Sequence, residues 1–188
     1  MIPLARLLRA FAAGAVLATA TTAGAQGFKL TSKEAPANST IAAAQVFNGF
    51  GCTGQNVSPS LSWSGAPAGT KSYALTMYDP DAPTGSGWWH WVVYNIPANA
   101  RGIPAGAGDP KKPGMPAGAV QGNTDFGAPG YGGPCPPAGD KAHRYIFTLY
   151  ALKVDKLDIP AGATAAMVGF NVNGNKLGSA TFTATFGR

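Results

Sequence analysis

Two histidines, two cysteines and few charged side chains are all that this 188-residue chain offers for chemistry; Asp, Glu, Lys and Arg together make up 12% of it. Each shortage excludes something. Cys52, Cys135, His90 and His143 are too few and too far apart for a structural zinc site, whose ligands recur at short spacings. No Gly-x-Ser-x-Gly elbow occurs, which removes one common serine-hydrolase signature. Lysines and arginines are scattered, only Lys111 and Lys112 being adjacent, so no basic stripe marks a nucleic-acid surface. After the N-terminus no apolar run reaches the roughly 20 residues of a membrane-spanning helix, so no stable membrane insertion is expected. No internal repeat or linker divides the chain.

The N-terminus itself has the grammar of an export signal. Arg6 and Arg9 precede an apolar stretch from Ala10 to Ala20, and Ala23-Gly24-Ala25 supplies small residues for cleavage. The expected organisation is therefore a signal peptide over 1–25 and one domain over 26–188, periplasmic or secreted. Losing Arg6 and Arg9 takes the formal net charge from +6 to +4. In an oxidising compartment, Cys52 and Cys135 are expected to form a disulfide, the alternative being two separate buried thiols.

What the chain has in quantity is turn formers, 26 Gly and 16 Pro, which leave little room for long helices. Between the turns lie β-rich runs: Tyr73–Tyr78, Trp89–Ile96, His143–Leu152 and Thr181–Phe186. The last alternates strictly and should bury Phe182, Ala184 and Phe186. His143–Leu152 is apolar on both faces, as a central strand would be. One short helix is expected over 161–169, with Pro160 near its start. Many short strands with turns between them argue for an all-β-dominated fold, an antiparallel β-sandwich with long Pro/Gly-rich loops.

The scarce chemical residues are concentrated. Asp79-Pro80-Asp81-Ala82-Pro83 is followed by Trp88-Trp89-His90-Trp91; later come Gly130-Tyr131-Gly132-Gly133-Pro134-Cys135-Pro136-Pro137 and His143-Arg144-Tyr145. Strand alternation puts His90 with Val92 and Tyr94 on one face, and Trp89, Trp91 and Val93 on the other. If the two histidine strands are neighbours, both imidazoles project toward the Asp79–Pro83 loop. Histidine and tyrosine would donate to an anion, and free N–H groups at Gly132-Gly133 would form a nest. Asp79 and Asp81 would orient the donors. Blander roles compete: Asp81 as a turn former, His90 as a core residue, Arg144 in a structural ion pair.

As a set these motifs resemble the phosphatidylethanolamine-binding protein family, and in particular its bacterial branch named after Raf kinase inhibitor protein. Gly54-Gln55-Asn56-Val57-Ser58-Pro59 and Ala184-Thr185-Phe186-Gly187-Arg188 fit that branch too, so the likeness covers nearly all of 26–188. It implies a β-sandwich with a small pocket for phosphate-type anions and phospholipid head groups. By resemblance Asp79, His90, His143 and Tyr145 match pocket residues, and Asp81, Pro83, Gly133 and Pro134 match its walls. It also raises the expectation of a cis proline at Asp79-Pro80, Ala82-Pro83 or Pro136-Pro137. The chain given stops soon after Thr181–Phe186, so the C-terminal helix that flanks the pocket in eukaryotic members is not expected.

The leading expectation is a non-catalytic exported binding protein for a small anionic or phosphorylated ligand, with no cofactor and no metal. Affinity would weaken as pH rises through the histidine range near 6–7. The rivals are an inhibitor or modulator of a protease or kinase through protein contact, and an enzyme using the Asp/His pocket. Either protein partner is unspecified by the sequence.

Overall fold

The computed structural model describes residues 27–188; the expected signal peptide lies outside the described residues. Ten strands alternate with loops in the order β1 Lys29–Thr31, β2 Asn48–Gly49, β3 Cys52–Thr53, β4 Leu61–Ser64, β5 Ser72–Asp79, β6 Trp88–Pro97, β7 Gly102–Ile103, β8 Val120–Gln121, β9 His143–Leu152 and β10 Lys176–Phe186. Among the described residues one α-helix, α1 Ala165–Asn175, is formed, and it precedes β10. The five-stranded sheet runs β10-β9-β5-β6-β8, and a three-stranded sheet runs β1-β4-β7. Every strand pairing in them is antiparallel.

The two sheets face each other across the main core. From the small sheet come Leu30, Leu61, Trp63 and Ile103; from the large one come Tyr73, Leu75, Met77, Trp91, Val93, Phe147, Leu149 and Phe182. Burying each such side chain contributes about 1.5–3 kcal/mol. The outer face of the large sheet is covered by α1, which sets Ala165, Val168 and Val172 on Ala74, Val92, Tyr94 and Leu152. The antiparallel sandwich expected from the sequence is therefore present, with β9 flanked by β5 and β10. Phe182 and Ala184 are buried as expected, while Phe186 is only partly so.

The helix lies later than 161–169. Pro160 is not its first residue; its carbonyl accepts from Ala163 N–H in a turn. Thr164 is the N-cap instead, its side chain accepting from Met167 N–H. The helix then runs through Asn171, Asn173, Gly174 and Asn175, weak formers sustained by packing on the sheet.

Strict alternation also fails in β6. Met77 pairs with Trp91 and Tyr78 with Trp89, so His90 has no partner in the β5 ladder. This bulge turns His90 to the same side as Trp91, against the expected grouping with Val92 and Tyr94, and it leaves Trp89 on the helix side with them. A second register shift lies between Tyr73 and Leu75, opposite Asn95, which has φ +58°. Among the described residues no peptide bond is cis, so the expected cis proline is absent. The turn after β5 is made another way: the Asp79 carboxylate receives the N–H groups of Asp81 and Ala82, closing it with trans prolines.

Candidate functional site

Three neighbouring strands of the large sheet end together, and their inward positions switch there from apolar to polar. On β5 the series Tyr73, Leu75, Met77 ends in Asp79; on β9 Phe147 gives way to Tyr145 and His143. The β6 bulge adds His90. These four side chains line one cavity of about 180 Å³, below the size of typical drug-sized ligand sites and suited to a small group.

Asp79 is almost fully buried. Oδ1 accepts the N–H of Asp81 at 2.8 Å and of Ala82 at 3.1 Å. Oδ2 accepts from His143 Nδ1 at 2.8 Å, so His143 is held by a buried carboxylate. His143 Nε2 stands 3.6 Å from Asp140, beyond hydrogen-bond reach.

His90 Nδ1 lies 2.7 Å from the Gly132 carbonyl. A carbonyl can only accept, so Nδ1 carries the hydrogen. Burial pushes the His90 pKa down to about 4, overriding the upward pull of the Gly132 carbonyl and the Asp79 charge. The imidazole is therefore neutral at pH 7, and its Nε2 is a lone-pair acceptor. The expected weakening of affinity near pH 6–7 cannot come from this ring. Its edge meets Tyr145, with centroids 5.1 Å apart at 83°, and Phe126 at 5.4 Å.

Tyr145 is fully buried, and its hydroxyl has no hydrogen-bond partner among the described residues. Burial, with the Asp79 charge adding, raises its pKa far above the usual value and keeps the hydroxyl protonated. Its hydrogen is thus unused among the described residues, at the wall of the cavity that Tyr145 helps to line.

The remaining wall is apolar: Ala82 and Pro83, then Phe50, Trp88 and Phe126, then Cys135, Pro136 and Pro137, with Thr84 among them. Phe126 stacks at 11° on Phe50 and meets Trp88 edge-on. Phe50 sits at the tip of the β2–β3 hairpin at φ +53° and is 68% exposed. Cys52 and Cys135 are joined across 83 residues, tying that hairpin to the Cys135–Pro137 wall. Arg188 fastens the same two pieces, donating to the carbonyls of Pro136 (2.7 Å), Gly51 (3.0 Å) and Phe50 (3.2 Å).

Of the residues expected from the sequence, Asp79, Pro83, His90, His143 and Tyr145 line the cavity, and Asp81, Gly133 and Pro134 do not. Asp81 is bound bidentately by the Arg144 side chain at 2.8 and 2.9 Å and by its N–H, which holds the carboxyl well below its usual pKa. Arg144 accordingly has the structural ion pair expected of it. The expected nest is not formed, because both amides are taken: Gly132 N–H donates to the His90 carbonyl and Gly133 N–H to Asn56 Oδ1 at 2.7 Å. Gly133 matters by its smallness, since a Cβ there would collide with the Gln45 carbonyl. Pro134 contributes its carbonyl to Phe47 N–H. Phe50 and Phe126 were missed by sequence reasoning, as no nearby motif marks them. Among the described residues no three His, Cys, Asp or Glu side chains are gathered as a metal site.

Comparison with known proteins bears on the whole of this architecture. The profile of the family described as phosphatidylethanolamine-binding protein matches residues 31–187. The UPF0098 protein YbcL of Escherichia coli is 51% identical over 164 residues, 87% of this chain and 90% of that one. YbhB of the same organism is 56% identical over 141 residues, 75% of this chain and 88% of its own. A mycobacterial relative named as a lipoprotein, LppC of Mycobacterium tuberculosis, is 41% identical over 137 residues, 73% of this chain and 63% of its own. The crystal structure of YbcL superposes with a TM-score of 0.84, covering 86% of this chain and 98% of the other.

Proposed function

This chain belongs to the phosphatidylethanolamine-binding protein family, and from that premise we propose that it is an exported, non-catalytic binding protein. Its pocket takes a phosphate-type anion or a phospholipid head group. The observation that carries the reading is the Tyr145 hydroxyl: buried, protonated and, among the described residues, without a partner, in a residue that lines a small cavity. Leaving such a group unpaired costs about 1–3 kcal/mol, which a bound oxyanion recovers by accepting its hydrogen. The apolar side formed by Phe50, Trp88 and Phe126 then receives the substituent that the anion carries. Export is supported by the N-terminal signal grammar, by the joined cysteines and by the lipoprotein name of one relative.

Calorimetry with methyl phosphate tests the pocket. Wild type should bind, and Tyr145→Phe should bind roughly ten-fold more weakly, the value of one lost hydrogen bond to a charged group. Equal affinities for the two proteins, with unchanged circular dichroism, would refute the anion pocket.

A further inference from the structure

A second cavity, of about 260 Å³, lies between α1 and the outer side of the large sheet. Thr76, Trp89 and Tyr150 line it from the sheet; Gly169, Phe170 and Asn173 line it from the helix. Two features of the helix there have no explanation in the packing. Gly169 lies in mid-helix, where only proline is a poorer former. A glycine at such a place is usually explained by a neighbour too close for a side chain. At Gly169 a Cβ would meet nothing within 4 Å. Gly174 is equally open, but it lies in the last turn and does not line the cavity. Phe170, the next residue, is 80% exposed, more than any other large apolar side chain among the described residues. The helix thus forgoes a side chain at the cleft and keeps an aromatic ring in solvent at its edge. A ligand accounts for both, because glycine lets a backbone approach a bound molecule closely and the ring gains a partner.

The lining indicates the class of ligand. No Asp, Glu, His, Lys or Arg belongs to it, and α1 carries no charged residue along its length. Thr76 and Tyr150 have hydroxyls that both donate and accept, and Trp89 has an indole N–H donor. Asn173 Oδ1 accepts from Lys176 Nζ at 2.9 Å, which leaves the amide NH2 to donate. An acyl chain would offer these groups no hydrogen bond, and an anion would find no counter-charge in the lining. From this combination we propose that the cleft between α1 and the sheet is a second binding site, for a neutral sugar ring. The C–H faces of a sugar suit the aromatic side chains of Trp89, Tyr150 and Phe170, and its hydroxyls suit the neutral donors and acceptors. The volume is below that of drug-sized ligand sites and matches one ring better than a chain.

Saturation-transfer NMR tests the site with methyl glucoside, methyl galactoside, methyl mannoside and N-acetylglucosamine, each at millimolar concentration. At least one should be saturated, most strongly at its ring C–H groups. Phe170→Ala should bind that sugar roughly five-fold more weakly, the scale of one aromatic contact. Gly169→Ala should melt at a higher temperature, since alanine is the better helix former and has room, and yet bind the sugar more weakly. A purely structural glycine would not give that pairing. Tyr145→Phe should bind the sugar as wild type does, which separates this site from the anion pocket. Saturation of none of the four sugars overturns the proposal, and so does sugar binding that neither helix substitution weakens. Saturation of adenosine without any of the sugars would give the cleft to a nucleobase, and that result overturns it too. A wild-type dimer in light scattering that Phe170→Ala dissociates, with no sugar bound, would assign the face to a second copy and equally overturn it.

Discussion

Two cavities open on opposite faces of the large sheet, and they differ in what has been buried to make them. The cavity at the strand ends is about 180 Å³; the one beside α1, lined by Thr76, Trp89, Tyr150, Ala166, Gly169, Phe170, Val172 and Asn173, is about 260 Å³. The larger one contains no carboxylate or histidine, and Phe170 at its edge is 80% exposed. The smaller one contains four buried groups that each cost free energy to desolvate. Volume is therefore a poor guide to what each cavity takes, and buried polarity is the better one.

The contrast predicts unequal responses to substitution. Asp79→Ala removes the partner of His143 and of two turn amides, so it should destabilise by about 3–5 kcal/mol in urea unfolding, the cost of breaking a buried pair. A loss under about 1 kcal/mol would place Asp79 among ordinary turn residues.

The next effect is read by pH. The His90 pKa falls from 6.5 unfolded to about 4 folded, so between those values the unfolded chain binds the extra proton and stability rises with pH. Acidifying from pH 7 to pH 4 should then cost up to about 3 kcal/mol through this one group, at about 1.4 kcal/mol per pKa unit. His90→Gln should remove that part of the slope of urea midpoint against pH; an unchanged slope would mean that the ring is not neutral in the fold.

Tyr145→Phe sharpens the comparison differently. It deletes an unpartnered buried hydroxyl, so the ligand-free protein should be equally stable or up to about 1 kcal/mol more stable, although binding suffers. Marked destabilisation would reveal a structural hydrogen bond. At the other cavity Phe170→Ala should change stability by less than about 0.5 kcal/mol, because the ring is mostly in solvent. A larger loss would make the helix face a packed surface.

How much of this was legible in the sequence follows from the range of each interaction. The span His143–Leu152 was read to the residue because its aromatic and aliphatic pattern is local. Asp79, His143 and Tyr145 converge as expected because simple alternation holds in β5 and β9. His90 reaches the cavity by a register shift that only the pairing with β5 defines, so its face was misassigned even though its place in the pocket was expected. Asp81 and Gly133 were misplaced for a related reason: their partners, Arg144 and Asn56, lie 63 and 77 residues away. The helix was placed early because Ala-rich 161–169 is the better former by propensity, while tertiary cover sustains the Asn-rich stretch that follows.

The bulge in β6 bears on what holds His90 in the pocket. Trp89 and Trp91 carry the pairing with β5, and the residue between them is skipped by that ladder. The β5 pairing therefore does not set which way this side chain turns, while Trp91 stays in the core and Trp89 on the helix side. The side chain at this position is therefore fixed by burial and by its bond to the Gly132 carbonyl, and not by the strand pairing.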